Sequence, residues 1–325
     1  MHVEEDDRLV DTMDKANLTV IILTFNEHLH IERAIRSAQQ VAQDILVVDS
    51  FSTDDTVELA RKLGARVLQN AWVNHSVQLN WALAQGDIRS DWVMRLDADE
   101  YLDGELVNIL PGILGGAKQD VGGFEVNRSI MFLGKPIRHG GMWPQWVLRV
   151  WRNGWARCES RWMDEHILLK QGSASHVAGM IIDDNRNDLT WWVQKHNRYA
   201  SREALVLLDQ QFGLGLNESS AQGLGRQASL KRYLKKGLYA RFPLQLRVWI
   251  YFLYRVAVRL GFLDGARGML FHSLQGLWYR LLVDGKVMEV IMVAERDGYT
   301  MVEAIEHVLG ISMNVLPDLD NTDDE

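Results

Sequence analysis

Two carboxylates separated by a single residue follow a short apolar run in this chain. Asp97 and Asp99 come directly after residues 92–96, and an apolar run of this length is typical of a buried strand. Mg²⁺ and Mn²⁺ prefer oxygen ligands and often bridge a protein carboxylate to a substrate phosphate. A cation held in this way offsets the negative charge that develops on a diphosphate leaving group. An isolated Asp-x-Asp is common, so the pair needs support from its surroundings before it indicates a metal site.

Polar clusters also close two earlier apolar runs. Residues 24–27 (Thr-Phe-Asn-Glu) follow residues 18–23, and residues 49–54 (Asp-Ser-Phe-Ser-Thr-Asp) follow residues 44–48. A carboxylate at a strand end can accept hydrogen bonds from a ribose hydroxyl or from the N–H of a uracil-like base. Turn formation and helix capping would explain each cluster taken singly. Three such clusters in chain order favour a nucleotide site.

The segment that carries these clusters alternates between strand and helix patterns. Strands are predicted at residues 18–23, 44–49, 65–69, 92–96, 123–132 and 145–151, and helices at residues 27–39, 54–63, 75–84 and 188–208. The early alternation predicts an α/β, Rossmann-like fold with a mostly parallel sheet and helices on both faces. Ligands on such sheets bind beyond the carboxyl ends of the strands, so the three polar clusters should meet at one edge.

Charge is divided unevenly along the chain. The 325 residues carry a net charge of −8, yet residues 226–286 contain 12 Lys or Arg and only two Asp. That segment therefore carries +10 and the rest of the chain −18. The single cysteine, Cys158, excludes an intrachain disulfide and a thiolate-rich metal site. No RNA-binding or DNA-binding module accompanies the basic segment, so no nucleic-acid partner is expected.

Aromatic residues are interleaved with the basic residues of that segment, a combination that suits the interface with an anionic membrane surface. The residues predicted at this interface are Lys235, Lys236, Arg241, Trp249, Tyr251, Arg255 and Arg259. No uninterrupted apolar run reaches the roughly 18 residues of a membrane span, so the helices are expected to lie in the interface plane. The alternative is a buried helical pair whose Arg side chains form ion pairs with the acidic remainder.

The polar clusters lie within three longer stretches, which read LTVIILTFNEHLHIERAI, ILVVDSFSTDDTVELARKLGARV and DWVMRLDADEYL. These stretches resemble the family-2 glycosyltransferases, which have the GT-A nucleotide-sugar fold. Later stretches, among them MWPQWVLRVWRNGWA and WWVQKHNRYASREA, are similar to the subgroup typified by the lipopolysaccharide inner-core β-1,4-glucosyltransferase. The resemblance covers roughly residues 17 to 290.

The pattern and the resemblance together predict a division of the chain into four parts. They are an acidic arm at 1–16, a GT-A catalytic domain at 17–212, a basic and aromatic helical region at 213–310 that associates with a membrane, and an acidic, disordered tail at 311–325. Within the catalytic domain, residues 17–101 are expected to form the nucleotide-sugar half and residues 102–212 the acceptor half.

The resemblance implies roles for individual residues. The side chains expected to bind the nucleotide sugar are Thr24, Asn26, Glu27, Asp49, Gln78, Asn80 and Asp97. Among them Asp49 would bind the base and Asp97 would lie near the ribose, while Asp99 would ligate a divalent cation, Mg²⁺ or Mn²⁺.

An inverting enzyme of this kind also needs a general base that deprotonates the acceptor hydroxyl. Asp164-Glu165-His166 is the outstanding candidate stretch, at a place where the subgroup usually reads His-Glu. Glu165 is the favoured catalytic base and Asp164 the second choice. A surface acidic pair without a catalytic role is the alternative.

The expected function is therefore that of an inverting, metal-dependent glycosyltransferase peripheral to the cytoplasmic face of the inner membrane. It would move a hexose, with glucose first in order, from a nucleoside-diphosphate sugar such as a UDP-sugar. The acceptor would be a lipid-linked glycan, such as lipopolysaccharide core or another cell-envelope glycan, and a homo-oligomer is possible. The alternatives are a catalytically silent, membrane-associated scaffold and a nucleotidyltransferase.

Overall fold

A mixed β-sheet forms the centre of the molecule. The computed structural model describes residues 15–159, 165–215 and 244–312. The strands are β1 (Ala16–Thr24), β2 (Ala42–Asp49), β3 (Arg66–Gln69), β4 (Trp92–Asp97), β5 (Glu100–Leu102), β6 (Val121–Phe132), β7 (Lys135–Pro136), β8 (Trp146–Arg152), β9 (Ala156–Cys158), β10 (Ile167–Leu169) and β11 (Ser173–Asp183). The main sheet has the order β3-β2-β1-β4-β8-β6-β11-β5, with β7 paired to β6, while β9 and β10 form a separate ribbon.

The first half of the sheet is parallel. Strand β1 pairs in parallel with β2 and with β4, and β2 pairs in parallel with β3. Side chains alternate between the two faces along β1, where Val20 and Ile22 join one core cluster and Ile21 and Leu23 the other. Both faces are therefore buried, as the near-continuous apolar run of this strand requires. The four-strand parallel arrangement predicted from the sequence is confirmed.

The second half departs from that prediction. Strand β8 is antiparallel to both β4 and β6, and β5 is antiparallel to β11, so the sheet is mixed and not mostly parallel. Strand β11 lies inside this half and pairs in parallel with β6. This strand is absent from the set predicted from the sequence, because Ser, His, Ala and Gly residues weaken its strand pattern.

Helices cover both faces of the sheet. They are α1 (Ile31–Ala38), α2 (Thr56–Lys62), α3 (His75–Gln85), α4 (Gly104–Gly115) and α5 (Leu189–Phe212). Helices α1 and α4 contribute to one core cluster, and α3 packs its Leu79 and Ala82 on the opposite face. Asn74 caps α3 by accepting a hydrogen bond from the backbone N–H of Val77 at 2.8 Å, which fixes where that helix begins.

The C-terminal region is helical. Helix α6 (Leu244–Leu253) continues into a wider turn at Tyr254–Val258 and a short 3₁₀ segment at Gly261–Asp264. Then come α7 (Gly265–Phe271), a second wide segment at His272–Trp278, α8 (Tyr279–Asp297) and α9 (Met301–Leu309). The second half of α5 packs on α8 and α9, burying Leu205 and Leu208 against Val290 and Ile305. Within the described ranges no helix combines the length and the apolar character that a membrane crossing needs.

A buried polar network joins this helical region to the loop that precedes β8. Asp264 accepts hydrogen bonds from the backbone N–H of His139 at 3.0 Å, from the His139 ring at 2.6 Å and from His272 Nε2 at 3.0 Å. Arg255 donates from Nε to His272 Nδ1 at 2.8 Å and is 1% exposed. The prediction that Arg255 lies at a membrane interface is therefore wrong, because its guanidinium is used inside the fold.

Candidate active site

The carboxyl ends of β1, β2 and β4 meet at one edge of the sheet. Thr24 pairs in register with Asp49, and Leu23 pairs with Asp97. The three polar clusters therefore lie side by side, as the parallel topology requires. The edge carries charged and hydroxyl groups from three loops that are far apart in the sequence.

The first two loops are tied together through Asn26. Its Oδ1 accepts a hydrogen bond from the backbone N–H of Thr53 at 2.8 Å, and its own backbone N–H donates to Ser52 Oγ at 2.8 Å. Asn26 has a φ of 54°, in the left-handed region that a short polar side chain tolerates. Its amide oxygen is therefore used to hold the loops in place.

Asp49 is fully buried, and its carboxylate is held from two sides. Oδ1 accepts from Ser52 Oγ at 2.5 Å, and Oδ2 accepts from the Ser52 backbone N–H and from Gln69 Nε2, both at 2.9 Å. Gln69 is its in-register neighbour on β3. These bonds fix the direction of a carboxylate that retains acceptor capacity for a further donor.

The hydroxyl of Thr24 and the carboxylate of Glu27 have contrasting surroundings. Thr24 Oγ1 is buried and has no hydrogen-bond partner among the described residues. The backbone N–H of Arg186 donates to Nε2 of His30 at 2.8 Å, so the proton of this ring lies on Nδ1. Nδ1 in turn donates to Glu27 Oε2 at 2.6 Å. Glu27 therefore orients a buried histidine, whereas Thr24 presents an unused polar group.

Gln78 and Asn80, both on α3, make bonds within the protein. Gln78 is fully buried, donating to Ser50 Oγ at 3.1 Å and accepting from Asn70 Nδ2 at 2.8 Å. Asn80 exchanges two hydrogen bonds with the backbone of Cys158, at 2.9 and 3.0 Å. Both amides fix the walls of the site, and their predicted contact with the nucleotide stays a prediction.

Asp97 lies between two guanidinium groups. Arg95 Nε donates to its Oδ1 at 3.1 Å, and Arg149 Nη2 donates to its Oδ2 at 3.2 Å. Burial would raise the pKa of Asp97, but Arg95 and Arg149 outweigh it and hold that pKa well below its usual range. The backbone N–H of Asp97 donates to Glu100 Oε2 at 2.9 Å, so the turn after β4 is closed by the acid three residues on.

Asp99 meets an amide and an ammonium group from later in the chain. Asn185 Nδ2 donates to its Oδ2 at 2.9 Å, and Lys195 Nζ lies 3.8 Å from the same oxygen. Burial would raise the pKa of Asp99, but Lys195 and the hydrogen bond from Asn185 lower it. Lys195 is held over the ring of Trp191, with Nζ 4.6 Å from the ring centroid. The Oδ1 atom of Asp99 receives no hydrogen bond from the described residues.

Asp99 is the one residue of this edge that was predicted to ligate a metal ion, and it keeps one carboxylate oxygen without a hydrogen bond from the described residues. Residues 15–159, 165–215 and 244–312 contain no group of three or more His, Cys, Asp or Glu side chains arranged to hold a metal. Asp99 Oδ1 is the open oxygen, while both oxygens of Asp97 are taken by arginines. One carboxylate with substrate phosphates is a usual arrangement for Mg²⁺, which is seldom enclosed by protein alone.

Glu165 lies on the other side of Arg95. Its Oε1 is 3.8 Å from Arg95 Nη2, and its side chain is 12% exposed. His75 lies close enough to interact with both charges, and its Nδ1 is buried without a hydrogen-bond partner among the described residues. Burial lowers the pKa of His75 and favours the neutral ring. Asp164, the second predicted base, lies outside the described residues.

Three polar or charged residues at this edge, Arg95, His75 and Arg202, are absent from the set predicted from the sequence. Arg95 interrupts the buried run of β4, and a cation inside such a strand is a signal that it must have carboxylate partners. His75 at the start of α3 and Arg202 on α5 gave no such signal, because an isolated His or Arg on a helix is usually structural or solvated. Only the packing of α3 and α5 around the sheet edge brings them to Glu165.

Comparison with known proteins gives a family match for the part of the chain that carries this edge. Residues 19–148 match the profile of Glycosyl transferase family 2. An uncharacterized glycosyltransferase of Rickettsia bellii is 39% identical over 103 residues, which are 32% of this chain and 34% of that protein. The chain thus spans about a third of the length of the curated relatives that match it first.

Other similar proteins match over longer stretches at lower identity. The lipopolysaccharide core biosynthesis glycosyltransferase LpsC of Rhizobium meliloti is 28% identical over 214 residues, 62% of this chain and 74% of that protein. Among solved structures, the mannosyltransferase PcManGT of Pyrobaculum calidifontis, in complex with GDP-Man and Mn²⁺, is 13% identical, with coverage of 86% and 88% and a TM-score of 0.47. Glucosyl-3-phosphoglycerate synthase of Mycobacterium tuberculosis is 23% identical, with coverage of 36% and 45% and a TM-score of 0.29.

Proposed function

We propose, from the match of residues 19–148 to the profile of Glycosyl transferase family 2, that the protein transfers a sugar from a nucleoside-diphosphate sugar to an acceptor hydroxyl. The observation that carries the proposal is the meeting of three strand-end clusters with Glu165 at one edge of the sheet. The nucleoside would lie along the clusters that contain Asp49 and Asp97, and the diphosphate near Asp99.

Glu165 is proposed to act as the general base. The carboxylate takes the proton of the acceptor hydroxyl while that oxygen forms a bond to the anomeric carbon. The bond between the anomeric carbon and the diphosphate oxygen breaks on the opposite side, so the configuration inverts and the nucleoside diphosphate leaves with the bonding pair. Arg95 holds Glu165 on the same side of the sheet edge as Asp97, which supports this placement.

Positive charge is needed where the diphosphate leaves. A divalent cation on Asp99, Mg²⁺ or Mn²⁺, would supply Lewis-acid assistance to the leaving group. Lys195 adds a second positive charge at the same carboxylate. Burial lowers the pKa of Lys195, but Tyr199 and Asp99 raise it by more. The ammonium form of Lys195 is therefore favoured.

The substrate class is proposed from the same residues and from the similar proteins. A buried Asp49 with acceptor capacity suits the N–H of a uracil-like base, which favours a UDP-sugar and, as the first choice, UDP-glucose. LpsC, which is 28% identical, is named for lipopolysaccharide core biosynthesis, and this supports a lipid-linked envelope glycan as the acceptor.

An exposed apolar surface supports attachment to the membrane that would hold such an acceptor. Large apolar side chains that are 45–67% exposed cluster between α6 and the start of α7; they are Leu246, Trp249, Ile250, Leu253, Tyr254, Val258, Leu260, Phe262 and Leu263. We call them the α6 surface. A run of large apolar side chains exposed in this way indicates an interaction site. Arg259 is exposed within it, which favours an anionic bilayer on the cytoplasmic face of the inner membrane as the proposed occupant. Lys235, Lys236 and Arg241, also predicted at this interface, lie outside the described residues.

One experiment tests the central proposal. The purified protein is screened with UDP-glucose, UDP-galactose, GDP-mannose and other nucleotide sugars in the presence of Mg²⁺ or Mn²⁺, and both the melting temperature and the release of nucleoside diphosphate are measured. We expect at least one donor to raise the melting temperature, because a ligand that binds the folded state stabilises it. The same donor should be hydrolysed slowly or transferred. Stabilisation without any turnover on acceptors would favour a silent scaffold. Formation of a nucleoside triphosphate and a sugar 1-phosphate when pyrophosphate is added to the nucleotide sugar would favour a nucleotidyltransferase.

A further inference from the structure

Arg202 is a half-buried cation for which the described residues supply no counter-ion. It lies on α5, and its guanidinium has no hydrogen bond and no ion pair with any described residue. Burial lowers its pKa, although the group remains charged at any physiological pH. A guanidinium removed in part from water usually gains a carboxylate or phosphate partner, and the described part of the chain leaves this one with unused binding capacity.

Two aromatic rings flank this guanidinium. Its Cζ lies 5.9 Å from the ring centroid of Trp72 and 6.0 Å from that of Tyr199. Trp72 is 37% exposed and lies just beyond the carboxyl end of β3, and it makes an edge contact with the ring of His75 at 4.7 Å. An exposed indole next to this guanidinium offers a flat apolar surface with one charged group at its rim.

Arg202 lies on the side of the site that holds Glu165, the proposed base, and away from Asp99, where the diphosphate is proposed to lie. Glu165 is among the charges that affect the pKa of Arg202. Lys195 lies seven residues earlier on the same helix. Seven residues correspond to about two turns, so Lys195 and Arg202 share one face of α5 and are about 10 Å apart along its axis. Lys195 lies 3.8 Å from Asp99, so Arg202 marks the end of this stripe that is farther from the proposed diphosphate position.

We propose that Arg202 and Trp72 form an acceptor subsite for an anionic sugar, a proposal that rests on the glycosyl transfer proposed above. The sugar ring packs on the indole of Trp72. A carboxylate or phosphate substituent near the attacked hydroxyl binds the Arg202 guanidinium through two parallel hydrogen bonds. The subsite selects acceptors that carry such a group and places the hydroxyl next to Glu165.

Direct binding of small sugars tests the subsite without any transfer reaction. Glucose, glucuronate and glucose 6-phosphate are titrated against the protein by saturation-transfer NMR, at low and at high salt. The wild-type protein should bind at least one of the two anionic sugars about tenfold or more tightly than glucose, since a hydrogen-bonded charge pair is worth at least that factor. The two anions separate carboxylate from phosphate recognition. High salt should reduce the preference.

Variants on the same helix attribute the preference to one side chain. Arg202→Met should bind the three sugars equally and keep its melting temperature, and Arg202→Lys should restore part of the preference. Arg198→Met removes an exposed cation one turn away and should behave as wild type. The subsite would be overturned by a wild-type protein that shows no preference for either anion, or by an Arg202→Met protein that retains it. Titration of the same variants with UDP, GDP and the nucleotide sugars is scored separately, so failure of donor binding would count against the proposed function alone.

Discussion

The guanidinium of Arg95 links Glu165 to the nucleotide side of the site. Its Nη2 lies 3.8 Å from Glu165 Oε1, while its Nε donates to Asp97 Oδ1 at 3.1 Å. One buried cation thereby sets the relative position of the proposed base and of the carboxylate predicted to lie near the ribose. A cation from β4 thus connects these two carboxylates within the folded chain.

Removing the proposed base should stop turnover and leave donor binding intact. Glu165→Gln is expected to lower kcat by about 10²- to 10⁴-fold, the usual contribution of a general base. The dissociation constant of the nucleotide sugar, measured by calorimetry, should stay close to the wild-type value. Asp164→Asn is the matched variant one residue away and should keep most of its activity. If Asp164→Asn loses turnover and Glu165→Gln does not, the base has been assigned to the wrong residue.

Transfer should depend on a divalent cation held at Asp99. Chelation of the metal, or the substitution Asp99→Ala, is expected to lower the rate by about 10²-fold or more, because the charge of the leaving diphosphate would lose its Lewis acid. Asp87 is an exposed aspartate paired with Arg89, and Asp87→Ala should leave the rate unchanged. Full activity in the presence of a chelator would contradict the metal role.

Lys195 should contribute to diphosphate binding even when no metal is present. Lys195→Met keeps most of the aliphatic stem that packs on Trp191 and removes the ammonium. We expect UDP binding in a chelating buffer to weaken about tenfold or more, the size of a lost charge-assisted hydrogen bond. Arg198→Met serves as the control cation on the same helix. Unchanged UDP affinity in Lys195→Met would show that this lysine only balances the charge of Asp99.

Stability should fall in mild acid because of His196. Its ring stacks on Trp192 at 3.5 Å between centroids, and burial lowers its pKa to about 4. In the unfolded chain a histidine takes up its proton near its usual pKa of about 6.5. Acid therefore protonates the unfolded state first, and the free energy of unfolding decreases as the pH falls from about 6.5 towards 4.

The substitution His196→Phe should reduce that acid dependence while preserving the ring stack. Urea unfolding of both proteins at pH 7 and at pH 5 provides the measurement. The loss of stability between the two pH values should be smaller in the variant than in the wild type. An equal loss in both proteins would assign the acid sensitivity to other groups.

The α6 surface should bind anionic vesicles. Replacement of Trp249 and Leu253 by Ser removes two large apolar groups that are about half exposed, and it should reduce co-sedimentation with vesicles that contain phosphatidylglycerol. Met292→Ser on α8, where the side chain is 55% exposed, is a matched control outside this surface. Equal sedimentation of the double variant and the wild type would remove the proposed role of the α6 surface.

Local sequence determined the parallel half of the fold and the position of its polar clusters. Each apolar run followed by a helix pattern defines one strand and one crossover, and crossovers between parallel strands place all the carboxyl ends at the same edge. Thr24, Asp49 and Asp97 therefore had to become neighbours once their strands were recognised. The spacing of Asp97 and Asp99 could be seen in the same way, because it depends on one strand end only.

Tertiary structure decided what each of these side chains does. Asn80 bonds to the backbone of Cys158 and Arg255 is enclosed beside His272, although both residues look available in the sequence. Lys195 and Arg202 reach the site from a helix roughly a hundred residues beyond β4. The partner of a side chain depends on which elements pack against it. Those contacts join segments that are far apart in the sequence, and their separation in the sequence does not determine their distance in the fold.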